Sequence, residues 1–211
     1  MKVSAIIPAY NEAARIGAVL EPVLAAPSVH EVIVVDDGST DGTAAVAARY
    51  GVKVVRLPEN RGKGAALVAG AREAQGDVLL FLDADLTGLT PKHVEDLVRA
   101  YQEGDAEVVI AVFRKGRPAT DLSQRIVPFL SGQRILARSL WEKAEAVAEG
   151  ADFGIETALT KLAFREGWRQ KTVVWEGVSH IRKEEKYGFW WGFRDRLSMY
   201  ADVVRSLFRR F

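Results

Sequence analysis

The stretch from Val78 to Asp85 reads Val-Leu-Leu-Phe-Leu-Asp-Ala-Asp, an unbroken apolar run that ends in two carboxylates. A continuous apolar run of this length is typical of a strand that is buried on both faces of a sheet. In parallel α/β sheets, ligands bind beyond the carboxyl ends of the strands. The small Ala84 lets the chain turn between Asp83 and Asp85, so both carboxylates can face one ligand. The end of this strand is therefore a candidate ligand site.

Strands and helices alternate along most of the chain. Apolar and β-branched runs predict strands at Val3–Ile7, Val32–Val35, Val52–Leu57, Val78–Leu82, Glu107–Val112 and Lys171–Trp175. Helical spacing and caps predict helices at Asn11–Leu24 with Asn11 as N-cap, Thr43–Tyr50, Gly62–Gln75, Thr90–Gln102, Arg138–Ala148 and Gly154–Glu166. This order predicts an α/β fold with a Rossmann-like, mostly parallel sheet and helices on both faces.

Composition limits the kind of protein. The chain has 211 residues, of which 48% are hydrophobic and 27% charged, values that suit one soluble domain. It has no cysteine, which excludes disulfides, thiolate metal sites and cysteine nucleophiles. A net charge of +1 gives no reason to expect nucleic acid as a partner. The N-terminal apolar run is too short for a signal peptide and no run suits a membrane span, so we expect a cytoplasmic protein.

Two further predicted strands end in polar residues, at Pro8–Glu12 and at Asp36–Ser39. With the strand that ends at Asp83, they would bring acidic groups to one rim of the sheet: Glu12, Asp36, Asp37, Asp83 and Asp85. Clustered carboxylates repel one another unless a cation joins them. Mg²⁺ or Mn²⁺ prefers carboxylate and phosphate oxygens. We therefore expect a divalent metal and a diphosphate at Leu79–Asp85, although a lone Asp-x-Asp also caps helices and turns.

A glycine-rich loop, Asn60-Arg61-Gly62-Lys63-Gly64, opens a predicted helix. Its backbone amides and Lys63 are suited to a phosphate or a nucleoside. The spacing differs from that of a P-loop. It also departs from Gly-x-Gly-x-x-Gly, because Leu67 stands where the third glycine would be. A surface turn is the alternative reading of this loop.

Four motifs in a fixed order resemble the family 2 glycosyltransferases, which have the GT-A fold of nucleotide-diphospho-sugar transferases. They are Pro8–Glu12, Val34–Thr43, Asn60–Gly64 and Phe81–Asp85, within a match over roughly residues 2–113. The resemblance implies a nucleotide-sugar site whose nucleoside pocket is lined by Pro8, Ala9, Tyr10 and Glu12. It implies that Asp36 and Asp37 hydrogen-bond the base or ribose and that Lys63 lies beside the nucleotide. It also implies that the metal and the donor sugar are held at Asp83, Ala84 and Asp85.

Beyond residue 113 the chain resembles particular members of that family. Gly154–Glu156 and Gly177–His180 look like the corresponding regions of glucosyl-3-phosphoglycerate synthases. That likeness implies that Glu156 lies near the sugar and that His180 completes the metal shell. Leu130–Arg134 stands where related enzymes carry a donor or acceptor loop, and Arg134 could neutralise a diphosphate. Dolichyl-phosphate mannose synthases share the N-terminal motifs but usually have glutamine at the position of Thr87.

The resemblance implies an enzyme, a hexosyltransferase that moves a sugar from a UDP- or GDP-sugar. The acceptor is left open between a lipid-linked molecule and a small phosphorylated metabolite. Candidate catalytic residues are Asp85, Arg134, Asp152 and Glu156, the last two as bases on an acceptor hydroxyl. Inverting and retaining chemistry both stay open. We expect one GT-A catalytic domain over 1–211, with a nucleotide-sugar-binding half at 1–113, an acceptor-side half at 114–186 and a C-terminal amphipathic helix at 187–211.

The predicted C-terminal helix has one apolar face over Phe189–Phe211. From Ile181 to Phe211 there are 8 Lys/Arg and 4 Asp/Glu, so this segment carries 8 − 4 = +4. Such a helix either packs on the domain with its basic face in solvent or lies on an anionic membrane surface. The second reading would place the protein at the inner face of the cell membrane. A homodimer is also left open.

Two other functions compete with sugar transfer. Apolar residues followed by Asp83–Thr87 fit the nucleophile motif of haloacid dehalogenase-type phosphatases, which would use Asp83 and Asp85. Those proteins usually carry the motif on an early strand, whereas here it follows the fourth. The other alternative is a nucleotide-binding module without catalysis.

Overall fold

The computed structural model describes residues 1–114, 131–149 and 155–180. Its strands are β1 Val3–Ala9, β2 Glu31–Asp36, β3 Lys53–Arg56, β4 Val78–Phe81, β5 Leu86–Thr87, β6 Val108–Arg114, β7 Arg134–Ala137, β8 Gln170–Glu176 and β9 Ser179–His180. Its helices are α1 Ile16–Leu24, α2 Thr43–Arg49, α3 Gly62–Glu73, α4 Pro91–Gln102, α5 Arg138–Glu149 and α6 Ile155–Arg165. The predicted α/β class is confirmed. The candidate base Asp152 and the predicted helix Phe189–Phe211 lie outside the described residues.

The main sheet has seven strands in the order β3-β2-β1-β4-β7-β6-β8. The first four of these pair in parallel, and so do β6 and β8. Strand β7 runs antiparallel between β4 and β6, with Phe81 and Ile110 both opposite Arg134. The sequence did not predict β7, because its four residues begin with a charged side chain and pass directly into α5 without a turn signal.

Each strand supplies side chains to two cores, because successive residues of a strand point to opposite faces. On one face α1, α2 and α4 cover Val34, Leu80 and their neighbours, and on the other α3, α5 and α6 cover Ile6, Ile33 and Leu79. Helix α3 lies close to the sheet at Gly70, where a Cβ would be only 2.5 Å from Cγ2 of Ile6. Because α3 follows the carboxyl end of β3 after a short loop, its amino end lies beside the carboxyl ends of the parallel strands.

The prediction that Asn11 caps a helix is wrong. Helix α1 begins at Ile16, and Asn11 has a left-handed backbone with φ 55°. Its side-chain oxygen accepts the N–H of Thr40 at 2.9 Å, and its own N–H donates to Oγ of Ser39 at 2.9 Å. Asparagine tolerates this conformation better than most residues, since its short polar side chain bonds locally. Asn11 therefore ties the loop after β1 to the loop after β2.

Within the described ranges, no helix is both long enough and apolar enough to cross a bilayer.

Candidate functional site

The short strand β5 follows the Asp-Ala-Asp turn and pairs antiparallel with β9. Its first residue, Leu86, lies opposite His180, so the ladder brings this imidazole beside the two carboxylates. Ligand atoms of Asp83, Asp85 and His180 lie within 4.8 Å of one another. The structure thus brings together the three residues that the sequence predicted as metal ligands.

Hydrogen bonding orients the imidazole of His180. Its Nδ1 lies 3.1 Å from Oδ1 of Asp85, and its Nε2 lies 3.7 Å from Oδ2 of Asp83. The shorter contact is a hydrogen bond that Nδ1–H donates, so Nε2 is the ring nitrogen that faces Asp83 and, once deprotonated, offers its lone pair to a cation. A separation of 3.7 Å suits two ligand atoms that each lie about 2 Å from one cation. Two carboxylates and a neutral imidazole therefore fit Mg²⁺ or Mn²⁺.

Glycines let β5 and β9 approach each other. Gly88 has φ +72°, and a Cβ there would lie 2.2 Å from the carbonyl oxygen of Gly177. The hydroxyl of Thr87 donates to the carbonyl oxygen of Ser179 at 3.1 Å. Thr87, which stands where mannose synthases usually carry glutamine, therefore helps to hold the strand that carries His180.

Lys63 lies at the start of α3 and joins two acidic groups. Its Nζ is 2.6 Å from Oδ1 of Asp83 and also forms an ion pair with Glu156. Burial would lower the pKa of Lys63, but the charges of these carboxylates raise it above its ordinary value. Burial would likewise raise the pKa of Asp83, but Lys63 and His180 lower it to about 2. The pair is therefore fully charged at neutral pH.

The backbone of Gly132 passes directly over this ion pair. A Cβ on this buried glycine would lie 2.6 Å from Nζ of Lys63 and 2.7 Å from Oδ1 of Asp83. A side chain at this position would therefore displace Lys63 or Asp83. The segment before β7 therefore forms a close wall of the site.

Asp37 caps the start of α3. Its carboxylate accepts the N–H of Arg61 at 2.8 Å and that of Gly62 at 3.0 Å. Burial raises the pKa of Asp37, against the lowering effect of these two bonds. The sequence predicts that the backbone amides of this loop bind a phosphate. In the structure, the amides of Arg61 and Gly62 already donate to the carboxylate of Asp37. The side chain of Lys63 is thus the group of this loop that contacts the carboxylates of Asp83 and Glu156.

Asp36 is 1% exposed and serves the loop that follows β2. It accepts the N–H of Ser39 at 3.1 Å and forms an ion pair with Nε of Arg56 at 3.2 Å. Both aspartates are bonded to protein groups in the described structure, and their contact with a base or ribose stays a prediction.

The loop after β1 presents one exposed ring. Tyr10 is 38% exposed, whereas Ala9 and Glu12 are buried, and Pro8 is half-buried. The N–H of Glu12 donates to Oγ1 of Thr43 at 2.8 Å, and its carboxylate lies 3.4 Å from Arg15. The exposed ring of Tyr10 is therefore the part of this loop that a nucleoside can reach. Glu12 does not belong to the group formed by Asp83, Asp85 and His180.

Arg134 and Glu156 lie on the later part of the chain. Arg134 is 4% exposed and donates to the carbonyl oxygen of Ser131 at 2.5 Å. Burial lowers its pKa, while the nearby charges of Glu156 and Asp83 oppose that shift. Its guanidinium is buried near these two carboxylates, and its contact with a diphosphate stays a prediction. Glu156, in the first turn of α6, faces Lys63 as described above.

Sequence reasoning missed Gln133. This residue is fully buried, and its Nε2 donates to Oδ2 of Asp83 at 2.7 Å. Its amide oxygen lies 3.0 Å from Oγ of Ser131. A Ser-Gly-Gln-Arg run just before an apolar stretch was visible in the sequence, but only its arginine was singled out. The available signal is that Gln133, an uncharged polar residue, stands just before the apolar residues of β7.

Comparison with known proteins identifies the family. The sequence model of Glycosyl transferase family 2 matches residues 4–157. Over 148 residues the chain is 37% identical to a dolichyl-phosphate beta-glucosyltransferase of Drosophila melanogaster, covering 54% of this chain and 45% of the relative. Over 122 residues it is 34% identical to a dolichol-phosphate mannosyltransferase of Pyrococcus furiosus, covering 55% and 34%. The chain thus spans less than half the length of these curated relatives.

Solved structures give the same result. Glucosyl-3-phosphoglycerate synthase from Mycobacterium tuberculosis, in complex with Mn²⁺, UDP and glucosyl-3-phosphoglycerate, superposes with a TM-score of 0.71 at 27% identity. The alignment covers 85% of this chain and 72% of that one. The predicted GT-A fold is confirmed, and the haloacid dehalogenase alternative gains no support from these comparisons. By its sequence match and its fold, the chain belongs to glycosyl transferase family 2.

Proposed function

We propose that this chain is a metal-dependent glycosyltransferase that takes a sugar from a UDP-sugar. The observation that carries the proposal is the convergence of Asp83, Asp85 and His180 on one point beside Lys63. A UDP donor is favoured over a GDP donor because the related synthase structure contains UDP with Mn²⁺. The proposal covers the activity of this chain alone, since its curated relatives are longer.

The donor nucleotide would lie along the loops that follow β1 and β2. The exposed ring of Tyr10 supports this placement, with Pro8, Ala9 and Glu12 behind it and with Asp36 and Asp37 holding the neighbouring loops in shape. Asp83, Ala84 and Asp85 follow β4 on the other side of β1 and would face the diphosphate and sugar. A donor that spans this rim would place its diphosphate near Lys63.

The site suits an anionic leaving group. Mg²⁺ or Mn²⁺, when held by Asp83, Asp85 and His180, supplies positive charge to the diphosphate. Lys63 adds a fixed ammonium from the amino end of α3, and charge that is already in place stabilises a developing anion most effectively. Arg134, buried near Asp83 and Glu156, would add a second cation that neutralises the diphosphate.

Glu156 is the described carboxylate best placed to act on the acceptor. It lies across Lys63 from Asp83, and it belongs to the later half of the chain. We assign it to the acceptor hydroxyl or the donor sugar, with Asp152 as the second candidate outside the described residues. The names of the relatives point to acceptors that carry phosphate, either dolichyl phosphate or phosphoglyceric acid.

If the acceptor is lipid-linked, the basic C-terminal segment would bring the enzyme to the membrane that holds this acceptor. Phe189–Phe211 would then lie on the cytoplasmic face of an anionic membrane. Co-sedimentation of the full chain with anionic liposomes at low salt tests this part. We expect binding that is lost at high salt. Full recovery of the protein in the supernatant at low salt would leave the phosphorylated metabolite as the acceptor class.

A thermal-shift panel tests the donor proposal. UDP, GDP and their glucose or mannose conjugates are each added with Mn²⁺ or with EDTA. A ligand that binds only the folded state raises the melting temperature by mass action. We expect UDP and a UDP-sugar to raise it only in the presence of Mn²⁺. If no member of the panel shifts the transition, the donor-site assignment is wrong.

A further inference from the structure

We infer that Gln133 is a positioning residue that holds the carboxylate of Asp83 in the orientation needed to bind the divalent cation. The inference rests on the proposed function, because it concerns the same metal site. It adds a residue that neither the motifs nor the relatives' names point to, and it gives Ser131 a supporting role behind Gln133.

The two oxygens of Asp83 are held by different donors. Nζ of Lys63 lies 2.6 Å from Oδ1, and Nε2 of Gln133 lies 2.7 Å from Oδ2. Oδ2 is also the oxygen that faces Nε2 of His180 across 3.7 Å. With one donor on each oxygen the carboxylate cannot rotate freely, and each oxygen keeps a further lone pair for a cation.

The direction of the Gln133 amide follows from its two neighbours. Ionised Asp83 can only accept hydrogen bonds, so the amide must turn its nitrogen toward Oδ2. Its oxygen then faces Oγ of Ser131 at 3.0 Å. That hydroxyl has one proton and two acceptors within reach, the amide oxygen of Gln133 and the carbonyl oxygen of Ala111. Ser131 supports the amide orientation that serves Asp83 in the rotamer in which its proton is donated to the amide oxygen rather than to Ala111.

The backbone gives Gln133 a rigid base. Its carbonyl oxygen accepts the N–H of Ala111 at 2.9 Å, and β7 begins at the next residue between two other strands. The side chain is fully buried, so water does not compete for its amide. Residues of this kind behind a metal ligand typically change metal affinity by 10–100-fold when they are replaced.

The test measures the dissociation constant of Mn²⁺ by electron paramagnetic resonance, on the full chain, without and with UDP. Gln133→Met keeps the length of the side chain but removes both hydrogen-bonding groups. We expect it to weaken Mn²⁺ binding about tenfold. We expect Ser131→Ala to have a smaller effect of the same sign, because it removes only the group behind the amide.

A double-mutant cycle separates positioning from a general structural effect. If Ser131 acts through Gln133, then Ser131→Ala adds nothing to the Mn²⁺ dissociation constant once Gln133 is already Met. Ser4→Ala is the matched control. Ser4 is also fully buried and hydrogen-bonded, to Glu31 at 2.6 Å and Gly76 at 2.8 Å, but it lies at the other end of the sheet. It should lower the melting temperature without changing the Mn²⁺ dissociation constant.

Two results overturn the inference while leaving the proposed function intact. One is wild-type Mn²⁺ affinity in Gln133→Met, and the other is full additivity of the two substitutions. If the wild-type protein itself binds no Mn²⁺ with or without UDP, the proposed function fails and this inference fails with it.

Discussion

The ammonium group of Lys63 lies 2.6 Å from Oδ1 of Asp83, so the start of α3 and the end of β4 are joined by charge. A second ion pair from the same ammonium to Glu156 extends this link to α6. Before any cation binds, Lys63 thus balances part of the negative charge of the metal site. In the proposed function the same group also faces the diphosphate, so its effects on metal and on nucleotide should have opposite signs.

Lys63→Met should tighten the binding of Mn²⁺ alone and weaken the binding of UDP. Two unit charges about 4 Å apart interact by about 4 kcal/mol at the effective dielectric constant near a protein surface, so at least a tenfold gain in Mn²⁺ affinity is expected. Lys171→Met is the control, since Lys171 also pairs with two acids, Glu103 and Asp105, but away from the site. Calorimetric titrations of both variants with Mn²⁺ and with UDP check the signs. Weaker Mn²⁺ binding in Lys63→Met would contradict this account of the ion pair.

Gly132→Ala should disturb the site without unfolding the protein. The new methyl group would lie within 3 Å of both Lys63 and Asp83, so one of them must move. We expect the affinity for UDP with Mn²⁺ to fall about tenfold, as is usual when groups around a metal ligand are displaced. Gly42→Ala adds a methyl group whose nearest neighbour is 4.0 Å away and serves as the control. Equal affinities in the two variants would show that the site tolerates a side chain at Gly132.

Gly88→Ala should weaken the metal site through His180. Its added Cβ would meet the carbonyl oxygen of Gly177 and push β9 away from β5. Gly167→Ala shares the positive φ, about 70° in both, but its Cβ would have no neighbour within 4 Å. Both variants should lose about 1–2 kcal/mol of stability from the left-handed backbone.

The two glycine variants should then differ in metal binding. Gly88→Ala should bind Mn²⁺ several-fold more weakly than Gly167→Ala, in titrations at matched fractions of folded protein. If both bind Mn²⁺ as the wild type does, the β5–β9 ladder is not what holds His180 in place.

Asp37→Asn should loosen the start of α3. An asparagine can accept only one of the two N–H groups, from Arg61 and Gly62, that the carboxylate now accepts. We expect a loss of about 1–2 kcal/mol in unfolding free energy and several-fold weaker UDP binding. Asp77→Asn also alters a carboxylate that accepts a backbone N–H, that of Lys2, at the opposite end of the sheet. Chemical denaturation and UDP titration are carried out on both variants. Unchanged UDP affinity in Asp37→Asn would show that this cap does not contribute to nucleotide binding.

Most of the fold was predictable because its signals are local. The apolar strand before Asp83 and the helical spacing after Pro91 each lie within one element, and the bounds found for α4 are close to those predicted. Strand β7 was missed because it has only four residues and runs straight into α5. Asn11 was misread because asparagine is favoured both at helix N-caps and in left-handed turns.

The candidate site was predictable only in part. Asp83 and Asp85 follow a strand whose end marks a site by general rules, whereas His180 came from resemblance, since a two-residue β9 leaves no periodicity to read. The contacts of Lys63 with Glu156 and of Gln133 with Asp83 join residues 93 and 50 positions apart. Such pairs depend on how β7 and α6 pack, which no single segment of the sequence encodes.

In the proposed function, nucleotide binding depends on a cation held by Asp83, Asp85 and His180. The most direct test of this dependence is calorimetric titration of UDP into the wild-type chain with Mn²⁺ and with EDTA, repeated for Asp85→Asn. We predict at least tenfold tighter binding with Mn²⁺ in the wild type and a much smaller difference in the variant. Equal UDP affinity with Mn²⁺ and with EDTA in the wild type would contradict the claim.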